Sequence, residues 1–406
     1  MTADALDPRR ELLLTLLQAA LQRVDGRRCV RDALAAAPLA APVWVAAIGK
    51  AALSMALGAH DALGAAIAQT LVITRDGAGL NELTARTAAE VHLSAHPVPD
   101  ERSLAAGGRL LAWVDALPPS ARPLFLISGG SSALVEVLEP PATLAHLEEL
   151  TRRALAEDIG IGELNARRAA LSRIKGGRLT ARLRGRAARA LFVSDVPDDD
   201  PRVIGSGLLG PAGSGDDRVE RAVVASVDHA VAAVAARARE LGLAVHAPTG
   251  RFAGNATRLA ARFAHELQLI PAQLAVWGGE STVRLPPQPG RGGRNQHLAL
   301  AAARLIAGHG DLLLLAAGTD GSDGVTADAG ALVDAETCAR VALAELDADR
   351  CLEQADSARA LAASGDLVHT GPTGTNVGDL VMGLKLPLGQ AQHLAQRHDV
   401  RRQRVL

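Results

Sequence analysis

VWVAAIGKAALSMA, residues 43–56, decides the fold. Val43 to Ile48 is a short apolar run that stops at a glycine, the pattern of a strand buried on both faces. Gly49-Lys50 then opens a helical stretch to about Leu63. Strand, glycine and helix in immediate succession make the repeating unit of α/β proteins. The same grammar recurs outward. LVITR (Leu71–Arg75), VHLS (Val91–Ser94), PLFLIS (Pro123–Ser128, followed at once by GGSSA) and RALFVSD (Arg189–Asp195) read as further strands. Between them lie helices near 11–35, 101–117 (capped by Asp100), 142–157 and 165–172, and a long one over 216–241. In such parallel sheets ligands collect beyond the carboxyl ends of the strands. Lys50, Ser128 to Ser132 and Asp195 all sit there.

A chain of 406 residues exceeds one core. Strands near 243–246, 273–277, 282–285 and 312–316, with helices near 295–307, 335–346 and 352–363, announce a second unit. The expectation is a two-domain α/β protein. Residues 1–250 form a Rossmann-like parallel-sheet domain, residues 251–406 form a smaller α/β domain, and the active site lies in the interdomain cleft. The break is placed near Pro248–Gly254.

Composition excludes several classes. Net charge is −1 and aromatics are 2% of residues, so there is neither a basic face nor a stacking platform for nucleic acid. No apolar run is long enough to span a membrane. The acidic start MTADALDPRR lacks a signal-peptide pattern, and the three cysteines show no CxxC spacing. A cytoplasmic protein without disulfides or structural zinc is expected.

Three glycine-rich loops carry the chemistry: PGRGGRNQ (Pro289–Gln296), GTDGSDG (Gly318–Gly324) and GPTGTN (Gly371–Asn376). Glycines let backbone N–H groups approach anions closely. The loops add cations (Arg291, Arg294), carboxylates (Asp320, Asp323) and hydroxyls (Thr373, Thr375). Donors for phosphate oxygens beside carboxylates for a hard cation suit phosphate plus a divalent metal. Surface turns use the same residues, but three such loops beside apolar runs exceed what turns need.

Lysine is nearly absent: Lys50, Lys175 and Lys385 are the only three. Lys50 and Lys175 abut glycines, where a compact ammonium meets ligand oxygens. Lys385 reads as a snorkelling surface residue.

SGGSSAL (128–134) is a strand–nest–helix transition suited to an anion, the plain alternative being a capped turn. In VPDDDP (196–201) Asp198, Asp199 and Asp200 read largely as a solvated loop, while Asp195, at a strand end, is the candidate for metal or hydroxyl contact. GSGLLG (205–210) matches GxGxxG but lacks the preceding strand and following helix that a dinucleotide site requires. His92 and His96 do not share a helix face, so joint zinc ligation is not expected, although His96 is placed at the cleft. There is no GxxxxGK[ST] and no GxSxG.

Together, AIGKAALSMA, HPVPDE, ISGGSSAL, LSRIKGGRL, SDVPDDDPRVIGSG, GGESTVRL, GRGGRNQHLALA, GTDGSDGVTADAGALVD and TGPTGTNVGDL resemble the class II glycerate kinases, the two-domain glycerate 2-kinases with a C-terminal MOFRL domain. They run in the family's order from about residue 43 to 380. The departures are Asp198 for a usual Gly, Ala95, Leu208, Ala169-Ala170 after Arg168 where Lys-His is usual, and His297 where Glu is common.

The resemblance implies transfer of the ATP γ-phosphoryl to the 2-hydroxyl of D-glycerate with a divalent metal, Mg²⁺. It implies small-molecule partners only, no nucleic acid and no membrane, and leaves a homodimer open. The expected catalytic residues are Lys50, Arg294 and Asp195. Substrate binding falls to Ser128, Gly129, Gly130, Ser131, Ser132, Lys175 and His96. Nucleotide phosphates fall to Gly371, Thr373, Gly374, Thr375, Asn376 and Asn295, and metal to Asp320, Asp323 and Glu280. An NAD(P)H-dependent hydroxypyruvate reductase, a label this family often carries, and a non-catalytic sugar-acid sensor are the alternatives.

Overall fold

The computed structural model describes residues 7–75, 80–157, 161–212 and 217–394. Contacts divide the chain into two compact units, one of residues 24–226 with 374–377, the other of residues 1–23, 227–373 and 378–406. This grouping differs from a contiguous division at residue 250.

In the first unit six strands form one all-parallel sheet: β1 (Val43–Ile48), β2 (Ile67–Thr74), β3 (Glu90–Leu93), β4 (Arg122–Ser128), β5 (Ala188–Val193) and β6 (Val219–Ala225), in the order β3-β2-β1-β4-β5-β6. That is the doubly wound Rossmann order, whose direction reverses between β1 and β4. β1 is buried almost throughout, as its unbroken apolar run requires. One face packs Ala46, Ile48, Phe125, Ile127 and Phe192 against the helix Glu101–Asp115, where Trp113 meets Phe125 edge-on at 5.8 Å between centroids.

β6 corrects the sequence reading. VERAVVA was assigned to a helix over 216–241, but it pairs in parallel with β5, and the helix covers only Val227–Glu240. Its alanines and charges are helix-compatible, and only the sheet edge beside β5 selects the strand. The expected helix over 11–35 is likewise two, Pro8–Val24 and Gly26–Ala36, with Asp25 capping the second through the Arg28 N–H.

The second unit holds a mixed sheet of β7 (Val245–His246), β8 (Phe252–Asn255), β9 (Leu274–Thr282), β10 (Leu312–Gly318), β11 (Gly330–Asp334), β12 (Leu367–Val368) and β13 (Asp379–Lys385). The order is β12-β11-β10-β13-β9-β7, with β8 also on β9. β10 and β9 flank β13 antiparallel. Helices Ala256–Leu269 and Arg294–Ile306 cover one face, and Phe263 stacks on Trp277 at 4.5 Å. The helix Pro8–Val24 belongs here too: Arg10 bonds Asp334 at 2.7 Å and Asp366 at 2.9 Å. Among the described residues no helix is long and apolar enough to cross a membrane.

Candidate active site

The parallel-sheet unit places its polar loops at the β1/β4 reversal, where this topology binds ligands. Gly49 ends β1 with φ +131°, and a Cβ there would stand 2.1 Å from Ser128 Oγ, so only glycine fits. The two loops are laced together. Lys50 N–H donates to the Gly129 carbonyl at 2.9 Å, and Ala51 N–H to Ser128 Oγ at 3.1 Å. Ser128 is fully buried in that role, so it fastens the loops rather than offering its hydroxyl to a ligand.

Gly130 starts the short helix Ser131–Leu134. A Cβ on it would lie 3.0 Å from His96 Cδ2 and 3.3 Å from Lys50 Cγ, so all three border one spot. Gly129 faces Asp195 and Asn376: its Cβ would stand 2.0 Å from Asp195 Oδ2 and 2.2 Å from Asn376 Nδ2. Asn376 Nδ2 donates to Asp195 Oδ2 at 2.7 Å. Thr375 and Ser131 are buried with hydroxyls that lack a hydrogen-bond partner among the described residues. Lys50, His96, Gly129, Gly130, Ser131, Asp195 and Asn376 thus lie around the Gly129–Ser131 turn.

Lys175 does not meet the expectation of an open cation. It is wholly buried, paired with Glu136, and donates to the Ser132 carbonyl at 2.8 Å. Burial pulls its pKa down, against the pull of Glu136. Ser132 Oγ lies 2.6 Å from Ser206 Oγ and accepts from Arg168 at 3.3 Å. In the acidic loop Asp200 pairs with exposed Arg202 at 2.7 Å, as a solvated loop would. Asp198 has φ +60°, the left-handed region that glycine enters without a side-chain penalty.

In the second unit Arg294 opens the helix Arg294–Ile306. It binds Asp379, at the start of β13, at 2.7 Å and also pairs with Glu280 of β9. Burial opposes the guanidinium's charge, but the two carboxylates outweigh it and raise its pKa. Glu280 is therefore an arginine partner here. Asp323 is a correction as well. It is 2% exposed and accepts the N–H groups of Asn295 (3.1 Å) and Gln296 (2.7 Å), capping the same helix. Burial pushes its carboxyl up to about 7 against those hydrogen bonds. Asn295 is buried and also donates its side-chain amide to Asp323 at 3.3 Å, away from any phosphate role.

Asp320, half-buried, accepts from Ser322 N and Oγ at 3.0 and 2.9 Å. Thr373 donates to the Thr319 carbonyl at 2.5 Å, and a Cβ on Gly321 would stand 2.0 Å from the Gly371 carbonyl oxygen, so these loops are packed together. Gly374 to Asn376 group instead with the parallel-sheet unit, where Gly26 N–H donates to the Gly374 carbonyl at 3.3 Å. Among the described residues no three His, Cys, Asp or Glu side chains cluster as a metal cage.

Sequence reasoning overlooked Asp379, Glu136, Arg168 and Ser206. Glu136 had a signal: it is a lone charge inside the apolar run ALVEVL.

Two family models match: the domain of unknown function DUF4147 over residues 12–240 and the MOFRL family over residues 273–379. The crystal structure of glycerate kinase from Thermotoga maritima superposes with a TM-score of 0.83 at 31% identity, covering 93% of this chain and 99% of that one. The D-glycerate 2-kinase of Thermotoga maritima is 33% identical over 92% of this chain and 98% of its own. The chain belongs to the two-domain glycerate 2-kinase family. Glycerate 2-kinase of Pyrococcus horikoshii is 29% identical across 92% of this chain and 97% of its own. In this chain the first βα turn reads Gly49-Lys50-Ala51-Ala52, with lysine in place of a glycine fingerprint, and GSGLLG forms turns before β6 rather than opening a helix.

Proposed function

We propose that this protein transfers the γ-phosphoryl group of ATP to the 2-hydroxyl of D-glycerate. The observation that carries the reading is the β1/β4 reversal point, furnished with Lys50, His96 and an Asp195 held by Asn376. An NAD(P)H reductase of this topology would need a glycine fingerprint in the first βα turn, and the lysine there argues against it. A sensor has no need of an oriented carboxylate at the same turn as a lysine.

Phosphoryl transfer asks mainly for positioning and charge stabilisation. Asp195, fixed by the Asn376 amide, orients the 2-hydroxyl and takes its proton as the new O–P bond forms and the bond to the β-phosphate oxygen breaks, releasing ADP. Lys50 stabilises the negative charge that builds on the moving group. The Gly129–Ser132 loop and His96 hold the acceptor. Arg294 serves as a further cation and Gly371 to Thr375 contact nucleotide phosphates. Mg²⁺ commonly takes one or two protein carboxylates plus phosphate oxygens, which half-buried Asp320 fits and helix-capping Asp323 does not. Bound with ATP, the ion would neutralise charge on the phosphates.

The test is purified protein with D-glycerate, ATP and Mg²⁺. ADP should form with 2-phosphoglycerate, identified by phosphorus NMR. NADH oxidation with hydroxypyruvate and no ADP from glycerate would overturn the reading.

A further inference from the structure

Behind the Ser131–Ser132 loop lies a buried ion pair with no assigned task. Glu136 and Lys175 both have side chains at 0% exposure. Each is anchored through its backbone to a different part of the parallel-sheet unit. Glu136 N–H donates to the Ser103 carbonyl at 3.0 Å, and the helix Glu101–Asp115 approaches so closely that a Cβ on Gly107 would stand 2.1 Å from the Glu136 carbonyl oxygen. Lys175 sits in a loop whose glycines hold another: Gly176 N–H donates to the Ser206 carbonyl at 2.9 Å and Gly177 N–H to the Gly207 carbonyl at 2.8 Å. From there Lys175 Nζ reaches the Ser132 carbonyl at 2.8 Å, while Ser206 Oγ meets Ser132 Oγ at 2.6 Å. The ammonium therefore ties the Ser132–Glu136 segment to its own loop, which grips Ser206–Gly207 through the backbone.

Stability is a poor reason for the pair. Taking two charges out of water is costly, and apolar replacements of similar volume are often neutral or better. What apolar side chains cannot supply is a donor that fixes the Ser132 carbonyl.

We propose that Glu136 and Lys175 are positioning residues for the acceptor substrate: they set the Ser132 peptide, and with it the Gly130–Ser132 segment that borders Lys50 and His96. The proposal rests on reading that segment as the glycerate side of the site. Its logic is mechanical. Lys175 holds the carbonyl, Glu136 holds Lys175, and neither touches substrate.

The experiment removes both charges together in Glu136→Leu/Lys175→Met, so no lone buried ion remains. The proposal expects a folded protein of near wild-type Tm whose kcat/KM for glycerate falls about 10²-fold, the order of loss that a misplaced reacting group produces. KM for ATP should stay within twofold. Hydrogen exchange at the Ala133, Leu134 and Val135 amides, bonded to Gly130 and Ser131 carbonyls, should quicken while the rest of the unit is unchanged. Unchanged glycerate kinetics with unchanged exchange would overturn the proposal. If the double variant does not fold, Glu136→Gln, which keeps the shape and one acceptor, decides by the same two readouts. Wild-type protein inert toward glycerate would defeat the functional reading alone, and the exchange comparison would still judge the positioning role.

Discussion

Asn376 Nδ2 donates to Asp195 Oδ2 at 2.7 Å, joining residues 181 apart in sequence within the parallel-sheet unit. Asp195 leaves β5 at the carboxyl edge of the sheet, and Asn376 belongs to the four-residue stretch that returns to this unit late in the chain. The amide fixes one carboxylate oxygen.

Asn376→Leu should keep the fold and lower kcat by about 10- to 100-fold, since a misaimed base costs on that order. Asn376→Asp should be worse, because it sets two carboxylates face to face. Steady-state kinetics on both variants check this. An aspartate variant faster than the leucine variant would show that a second carboxylate does not disturb Asp195.

Gly129→Ala is expected to fold yet lose nearly all activity. The added methyl would stand 2.0 Å from Asp195 Oδ2 and 2.2 Å from Asn376 Nδ2, so the pair must part. Circular dichroism together with kcat tests it, and wild-type kcat would show that the Asp195–Asn376 contact has no catalytic consequence.

The β1 segment announced its neighbours because a six-residue apolar run ending in glycine has few other readings. The strand-end positions of Lys50, Ser128 and Asp195 follow from three such runs, Val43–Ile48, Pro123–Ser128 and Arg189–Asp195. β6 was illegible because VERAVVA has no local strand preference strong enough to resist the helical pattern that follows it. Lys175 was misread for a different reason. Its glycine neighbours read as ligand contacts, whereas they grip the Ser206–Gly207 backbone, and its partner Glu136 lies 39 residues away. Asp323 illustrates the same limit. A carboxylate that caps a helix 28 residues upstream is spelled like one that binds metal.

Lys50→Ala and Lys385→Ala separate the lysines. Loss of a charge-stabilising group should cost Lys50→Ala about 10²–10³-fold in kcat. Lys385 instead donates to the carbonyls of Gln268 and Ile270 at the end of the helix Ala256–Leu269. Its alanine variant should lose ~1 kcal/mol of stability and keep full activity. Denaturant melts and kcat together decide, and a silent Lys50→Ala would remove that residue from the mechanism.

Arg294→Ala confounds activity with folding, because it strands Asp379, whose side chain is 1% exposed. The expected destabilisation is roughly 1–3 kcal/mol, less than for a fully buried pair because about a third of Arg294 reaches solvent. Arg294→Ala/Asp379→Asn should recover most of that stability. Activity that remains low in the restored double variant assigns Arg294 to catalysis, and activity that returns assigns it to structure.

Asp320→Asn and Asp323→Asn divide the GTDGSDG loop. Asp320 is half-buried and accepts from Ser322 within its own turn, and it is the carboxylate of this loop proposed for Mg²⁺. Its Asn variant should lose activity at limiting Mg²⁺ and recover part of it as Mg²⁺ rises. Asp323 has both oxygens on the N–H groups of Asn295 and Gln296. Its Asn variant keeps one acceptor and turns an N–H₂ toward the other donor, so stability falls and added Mg²⁺ does nothing. The pH dependence gives a second signature. The carboxyl stands at about 7 in the folded protein against 3.8 for an ordinary aspartate. Folding therefore favours its protonated form, and its contribution to stability is full below about 3.8 and is lost as pH rises through about 7. Asp323→Asn should flatten that decline in unfolding free energy, whereas Asp320→Asn should leave it intact. Mg²⁺ rescue of Asp323→Asn, with an unaltered pH profile, would return Asp323 to the metal and leave the helix capped by something else.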